Sequence, residues 1–244
     1  MATPSNPSLI KVFCFIPRRH DFTEQEFHDY WRHPHGTMAK RITTVRRYIQ
    51  SHKTPLRTGT PEAPHDGAAE LWFDDIDTAN RLNEDPDYAD YCGLDEPKFM
   101  DLGPDTFRVL TREVSVIKGG LGSAERGVKF LHLVRSTGDT TDAKLLRHLT
   151  SAKQKSLAEK LGAMSLTVCP ALPETYVDEL PPMATVHHWL TLDPYNAIRE
   201  FWWPDTEAYQ NALASPLWDE LLAAEGVDTD RSPAFAADEN VVVW

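Results

Sequence analysis

The first apolar run of the chain, IKVFCFIPR from Ile10, returns 118 residues later as VKFLHLVRS from Val128, each with a lysine in second place. Both are short, rich in β-branched and aromatic residues, and predict buried strands. At the same offset EQEFHDYW from Glu24 falls on DAKLLRHL from Asp142, and RRYIQSH from Arg46 on MSLTVCP from Met164. Further on the offset becomes 130. AELWFDD at 69–75 then meets REFWWPD at 199–205, so Glu70 faces Glu200, Trp72 faces Trp202 and Tyr88 faces Trp218. The change implies a twelve-residue insertion in the second run, within 170–198, which holds the β-like ATVHHWLTL. Self-similarity of this kind marks a repeated unit.

Each run predicts the same elements. A strand (10–16; 128–135) precedes a helix, which opens in the first run at Thr23 with Glu26 three residues on, a capping box with Phe22 and Phe27 as a staple. The second opens at Thr141. Strands at 46–52 and 164–169, then at 68–74 and 197–203, lead to short helices (IDTANRLNED; DTEAYQNALAS) and turns introduced by Pro86 and Pro216. Final strands are expected at 106–117 and 240–244. The order β-α-β-β-α-β is the ferredoxin-like plan. Two helices cover one face of a four-stranded sheet, and the other face must also be buried. The expectation is an α+β fold: two ferredoxin-like repeats, 9–118 and a degenerate 127–244, packed sheet to sheet as a dimeric-α/β-barrel-type fold within one chain. KGGLGSAERG at 118–127 is the linker.

Composition narrows the partners. With 25 basic and 37 acidic residues the formal net charge is −12, which disfavours nucleic acid and anionic membrane surfaces. Cys14, Cys92 and Cys169 are odd in number and lie far apart, against a disulfide framework or thiolate metal site. No apolar run is long enough to span a membrane, and the start MATPSNPS lacks the features of a signal peptide. A cytoplasmic protein, monomer or homodimer, is expected.

Candidate chemistry gathers at FHDYWRHPHGTMAKR, followed by YIQSH and AELWFD. These three motifs, in this order, resemble the EthD-like branch of the dimeric α+β barrel superfamily; the second run keeps the framework and loses the motifs. The resemblance implies the barrel fold, and chemistry often done without metal or organic cofactor, although some branches bind haem. It also implies that His35 lies near the pocket. Alternation places Tyr48, Gln50 and His52 on one strand face, expected to meet the cavity between the sheets. Histidine transfers protons near neutrality, so His35 and His52 are the expected catalytic pair. Tyr48, Gln50, Trp31, Trp72 and Tyr88 are the expected substrate-binding set, with His187, His188 and Glu70 as further candidates. Trp31 is expected to pack, and His33 to face solvent. The helix is expected to end near YWRHPHG. No metal and no cofactor are expected. At the offset of 118, Lys153 and Pro170 stand where the first run has His35 and His52, so one full site per chain is predicted.

No GxGxxG, P-loop, GxSxG, HExxH or CxxC occurs. The function expected is a cofactor-independent proton-transfer enzyme, an isomerase of a small unsaturated (dienoate) or aromatic-derived carboxylic acid. The alternatives are a dehydratase, decarboxylase or cyclase of a polyketide-type aromatic, and an accessory protein that binds an acidic or aromatic small molecule.

Overall fold

The computed structural model describes residues 9–103, 105–119, 127–173 and 195–243. His187, His188 and the β-like stretch around them lie outside these residues.

Strand β1 (Ile10–Ile16) is buried along its whole length. One of its faces meets helices and the other the inside of the sheet, so it reads as a continuous apolar run rather than an alternation. Helix α1 (Glu24–Tyr30) starts with the expected capping box: the Thr23 hydroxyl accepts from the Glu26 N–H, and the Glu26 carboxylate accepts from the Thr23 N–H at 2.8 Å. The helix does not end at YWRHPHG. Trp31–His35 form a π turn around Pro34, and helix α2 (Gly36–Ala39) continues from it. Proline has no N–H and its ring clashes with the carbonyl four residues back. The ladder therefore widens, and the Gly36 N–H reaches the Trp31 carbonyl.

Strands β2 (Arg47–Lys53) and β3 (Gly67–Phe73) follow, then helix α3 (Ile76–Asn80), a second π turn at Tyr88–Cys92, helix α4 (Gly93–Asp95) and strand β4 (Phe107–Thr111). The expected strand at 106–117 breaks after Thr111 and resumes as β5 (Val114–Ile117). The second half supplies β6 (Val128–Val134), α5 (Asp142–Leu149), α6 (Ala152–Lys160), β7 (Ser165–Pro170), β8 (Ala197–Trp203), α7 (Thr206–Leu213), α8 (Leu217–Leu222) and β9 (Ala234–Val243). Thr141 caps α5 as expected. Strand β9 begins six residues before the expected 240, because Ala234–Ala237 pair with β6 before the chain crosses to β2.

The nine strands among the described residues form one sheet in the order β4-β1-β3-β2-β9-β6-β8-β7-β5. Its ends, β4 and β5, are consecutive parts of one bent strand. An antiparallel bridge joins Thr111 to Ala171, and the Leu172 N–H bonds the Leu110 carbonyl at 2.8 Å. The sheet thus curls round on itself. Register repeats between the halves: Ile10 faces Phe73 and Lys11 faces Trp72, as Val128 faces Trp203 and Lys129 faces Trp202. These are the offsets of 118 and 130 read from the sequence.

Three apolar clusters fill the molecule. One lies between the first-half strands and α1–α4, with Phe27, Trp31 and Phe99; one lies between the second-half strands and α5–α8, with Phe130, Trp203 and Trp218. The third joins Phe13, Phe15 and Val109 to Leu131, Leu133 and Phe235 across the inside of the curled sheet.

Candidate active site

The alternation of β2 was read correctly, but its faces were assigned the wrong way round. Tyr48 belongs to the cluster under α1–α4, and Gln50 and His52 contact α1 and its π turn. The polar row looks toward the helices, whereas Ser51 looks into the curl and bonds Glu70. The physical reason is that Trp31, docked on this row, supplies polar partners of its own. Trp31 Nε1–H donates to the Tyr48 hydroxyl at 3.1 Å, and the Trp31 carbonyl accepts from Gln50 Nε2 at 2.7 Å.

Between the first-half strands and their helices opens a cleft whose empty space, mouth included, is about 660 Å³. Its wall is largely apolar: Val12 and Ile16 from β1, Ala69, Leu71 and Phe73 from β3, and Ile42, Leu82 and Met100 from the helical side. Among the expected residues, His35, Trp31, Tyr48 and Tyr88 reach the lining. Both π turns contribute, the first with Trp31 and His35, the second with Tyr88 and Cys92.

His35 is buried, with Nδ1 at 3.1 Å from Asp95 Oδ2. Burial alone would raise the Asp95 carboxyl, but hydrogen bonds from His35, Lys98 and Tyr30 override it and hold the group at about 2. An ionised carboxylate only accepts, so Nδ1 carries a proton, and in the neutral ring the lone pair is on Nε2. Tyr48 accepts at its oxygen from Trp31 Nε1–H and, at 3.3 Å, from Gln50 Nε2–H. Both lone pairs are engaged, which leaves the Tyr48 O–H as a donor. Burial raises this phenol above its ordinary range, so it keeps its proton.

Beside them the cleft holds Glu96, Arg108, Cys14 and Cys92, none of which stood out in the sequence. Burial pushes the Glu96 carboxyl up to about 8; the Tyr88 hydroxyl, donating to Oε1 at 3.0 Å, opposes this, and the Asp95 charge adds to it. Burial lowers the Arg108 guanidinium, which donates to Asn80 Oδ1 at 2.8 Å. Burial also pushes the Cys14 and Cys92 thiols up to about 12, so both remain thiols at neutral pH.

His52 lies outside the lining. Its ring rests on Trp31 at 4.4 Å, Nδ1 meets His28 Nδ1 at 2.9 Å, and Nε2 meets Gln50 Oε1 at 3.3 Å. Burial, Arg32 and His28 push it down to about 2, so it stays neutral. Gln50 stands behind Tyr48, its Oε1 accepting from Asn240 at 2.7 Å. His33 is exposed.

Trp72 and Glu70 point the other way, into the curl. There Lys11 lies at 2.6 Å from Glu200, 2.8 Å from Glu70 and 3.4 Å from Glu113, and Lys129 at 2.5 Å from Glu70, 3.1 Å from Glu200 and 2.8 Å from Glu239. Trp72 lies under the Lys11 ammonium at 4.5 Å. Glu113, Cys169 and Glu200 have ligand spacing for a metal ion, but the Lys11 ammonium already supplies the cation against Glu200 and Glu113. Glu70 is thus a framework residue of the sheet interior.

In the second half the space matching the cleft is filled. Arg199, at the β8 position matching Ala69, is fully buried and donates to His132 Nδ1 at 2.7 Å, Gln154 Oε1 at 2.9 Å and the Leu221 and Leu222 carbonyls at 2.9 and 3.2 Å. His132 itself takes the β6 position of Cys14, since each stands opposite the matching β3 or β8 residue.

The family model for the EthD domain matches residues 19–103, which supply most of the cleft's lining. This span is similar to an EthD domain. None of the curated proteins matches the chain. Solved structures match it over nearly its whole length. An anthrone oxidase-like protein is 9% identical, with 98% of this chain and 95% of that one covered and a TM-score of 0.64. A mutant chlorite dismutase from Candidatus Nitrospira defluvii is 9% identical, over 97% and 93%, at 0.55. A monooxygenase-like protein from Lactobacillus acidophilus NCFM is 12% identical, over 96% and 94%, at 0.52. At such identities the likeness shows the fold, a mixed α+β architecture of the dimeric α+β barrel class with a curled antiparallel sheet. The matched span supplies most of the cleft's lining residues, and β1 and β4 add Val12, Cys14, Ile16 and Arg108. No helix among the described residues is long and apolar enough to cross a membrane.

Proposed function

We propose that the EthD domain is a cofactor-independent carbon-acid enzyme, and that its reaction is isomerisation of a small unsaturated or aromatic-derived carbonyl compound. The observation that carries this reading is the His35–Asp95 pair opening on an apolar cleft beside the Tyr48 hydroxyl. His35 Nε2 removes a proton next to a carbonyl. Asp95 holds the ring's tautomer and stabilises the imidazolium that forms. Tyr48 O–H donates to the oxygen on which enolate charge develops, in a site that excludes water. Arg108, the guanidinium of the lining, is turned to Asn80 and the Ala79 carbonyl at the cleft wall. Trp31 and Tyr88 shape the cleft; His52 and Gln50 position Trp31 and Tyr48.

We also infer that 9–118 and 127–244 are two copies of one ferredoxin-like plan, the second degenerate. The repeated register supports this, as does the strand order fourth-first-third-second within each half. The filled space around Arg199 supports one cleft per chain.

The test follows a β,γ-unsaturated aryl ketone, 1-phenylbut-3-en-1-one, in D2O, reading deuterium uptake beside the carbonyl and gain of the conjugated enone. The wild-type chain accelerates both, and His35→Ala loses a factor on the order of 10² to 10⁴ in each. Full retention by His35→Ala would falsify the reading. A second reading is favoured by one observation, the name of the anthrone oxidase-like neighbour. An anthrone is itself a carbon acid whose enolate reacts with dioxygen. Oxygen uptake matching turnover, with anthrone as the probe, would select that fate for the same enolate.

A further inference from the structure

Adjacent residues of one short turn carry carboxyl groups in opposite states. Asp95 ends α4 and turns toward His35, Tyr30 and Lys98, three donors that fix it as a carboxylate. Glu96 turns into the cleft, 5% exposed, where Tyr88 O–H reaches one oxygen. When two neighbouring titratable groups are driven apart in this way, the environment has assigned one to the base and the other to the acid.

The groups facing Glu96 agree with that division. Tyr88 from the second π turn donates to it, and the Asp95 charge on the next residue opposes its ionisation. Cys14 on β1 and Cys92 on the π turn stay neutral thiols, so they bring no positive charge to hold Glu96 ionised. Arg108 on β4 and His35 complete the polar lining. Arg108 donates to Asn80 Oδ1 and to the Ala79 carbonyl.

Resting on the reading of His35 as the base, we propose that Glu96 is the acid that returns a proton to the carbon skeleton, and that the substrate is an apolar β,γ-unsaturated carbonyl compound. The steps balance without oxidant or reductant. His35 Nε2 takes a proton from the carbon between carbonyl and alkene, and that C–H electron pair becomes part of the dienolate. The dienolate collapses from its far carbon onto the Glu96 O–H. A C–H bond forms there, the O–H bond breaks, and the conjugated carbonyl results. Imidazolium and carboxylate then exchange a proton through water at the cleft mouth, restoring both groups.

With 1-phenylbut-3-en-1-one in D2O the two roles separate. Glu96→Gln keeps the shape of the protonated side chain. It should keep deuterium uptake next to the carbonyl, which needs the base alone, and lose conjugation by a factor on the order of 10² to 10⁴. His35→Ala should lose both. In the wild-type protein the rate of conjugation should fall as pH rises through about 8, and Tyr88→Phe should move that limb upward, because it removes a donor to the carboxylate. An infrared carbonyl band of a protonated carboxyl at pH 7, present in wild type and missing in Glu96→Gln, reads the same state without any ligand. Conjugation by Glu96→Gln at the wild-type rate, or absence of that band, overturns the assignment of Glu96 while leaving His35 in place. Loss of neither activity in His35→Ala, or no acceleration of exchange by wild type, overturns the reading beneath it.

Discussion

Replacement of Glu96 by glutamine also tests the electrostatics of the cleft through stability alone. The unfolded carboxyl titrates near 4.5, whereas burial pushes the folded group up to about 8. Below 4.5 both states hold the proton and Glu96 adds no pH dependence. Between the two values the folded state binds the proton and the unfolded state has released it, so stability falls as pH rises. Above about 8 both are ionised and the full cost is present. The span, at about 1.4 kcal/mol per pH unit, comes to roughly 5 kcal/mol, an upper figure that water entering through the mouth would reduce. Glutamine does not titrate. Urea unfolding of both proteins from pH 4 to pH 9 should therefore show Glu96→Gln gaining on wild type by about 1 kcal/mol per pH unit within that window. Contributions from the other groups largely cancel in the difference, apart from the contact with Asp95. Parallel stability curves would mean that Glu96 ionises freely, and the argument for an acid facing His35 would fail.

Two further outcomes concern the frame that holds the cleft. Lys11→Met removes a buried ammonium lying at 2.6 Å from Glu200 and 2.8 Å from Glu70, and should cost about 3–5 kcal/mol in urea unfolding at pH 7, because carboxylates are left buried and uncompensated. Lys11→Met/Glu200→Gln should recover part of this, and a loss below about 1 kcal/mol would show that the cluster carries little charge. Gly67→Ala would place a methyl 2.6 Å from Trp31 Cζ3 and 2.7 Å from the Ser51 carbonyl. Thermal unfolding should show a loss of about 1–3 kcal/mol, with a changed Trp31 environment in fluorescence, whereas an unchanged protein would mean that Trp31 is loosely seated.

Much of the frame was legible because strand pairing leaves a linear trace. Lys11 opposite Trp72 and Lys129 opposite Trp202 can be read as equal offsets without knowing the fold. The capping box at Thr23 was legible because it is a local bond between residues three apart. The face of β2 was not, since alternation separates two faces without saying which is inside. The polar Tyr48, Gln50 and His52 suggested an open cavity, yet their partners come from Trp31, His28 and Asn240, and the sequence does not show that these will meet them. Nothing in the sequence singled out Asp95 and Glu96. Their opposite states depend on three donors gathered around one carboxyl and on burial of the other, and both arise only in the folded chain. The π turn at Pro34 had a visible cause in the proline, but one proline equally suggests a helix end.

The two faces of the curled sheet follow different rules. Inside, charged residues occur in matched pairs: Lys11 with Lys129 and Glu70 with Glu200. Each of these four faces a partner from the other half, so changing one alone would strand a buried charge. Outside, the positions matched by the two offsets differ. Cys14 and Ala69 leave room in the first half, where His132 and Arg199 close it in the second. Among the described residues Arg199 has no carboxylate partner, and burial lowers it to about 9. It is held instead by a ring nitrogen, a side-chain amide and the carbonyls ending α8, a set that satisfies a guanidinium without adding an acid. Because the described partners of Arg199 all belong to its own half, it fills that space without disturbing the interior. The shared interior thus keeps the two halves alike where they touch, and leaves each free to differ under its own helices, where the first half keeps an open cleft.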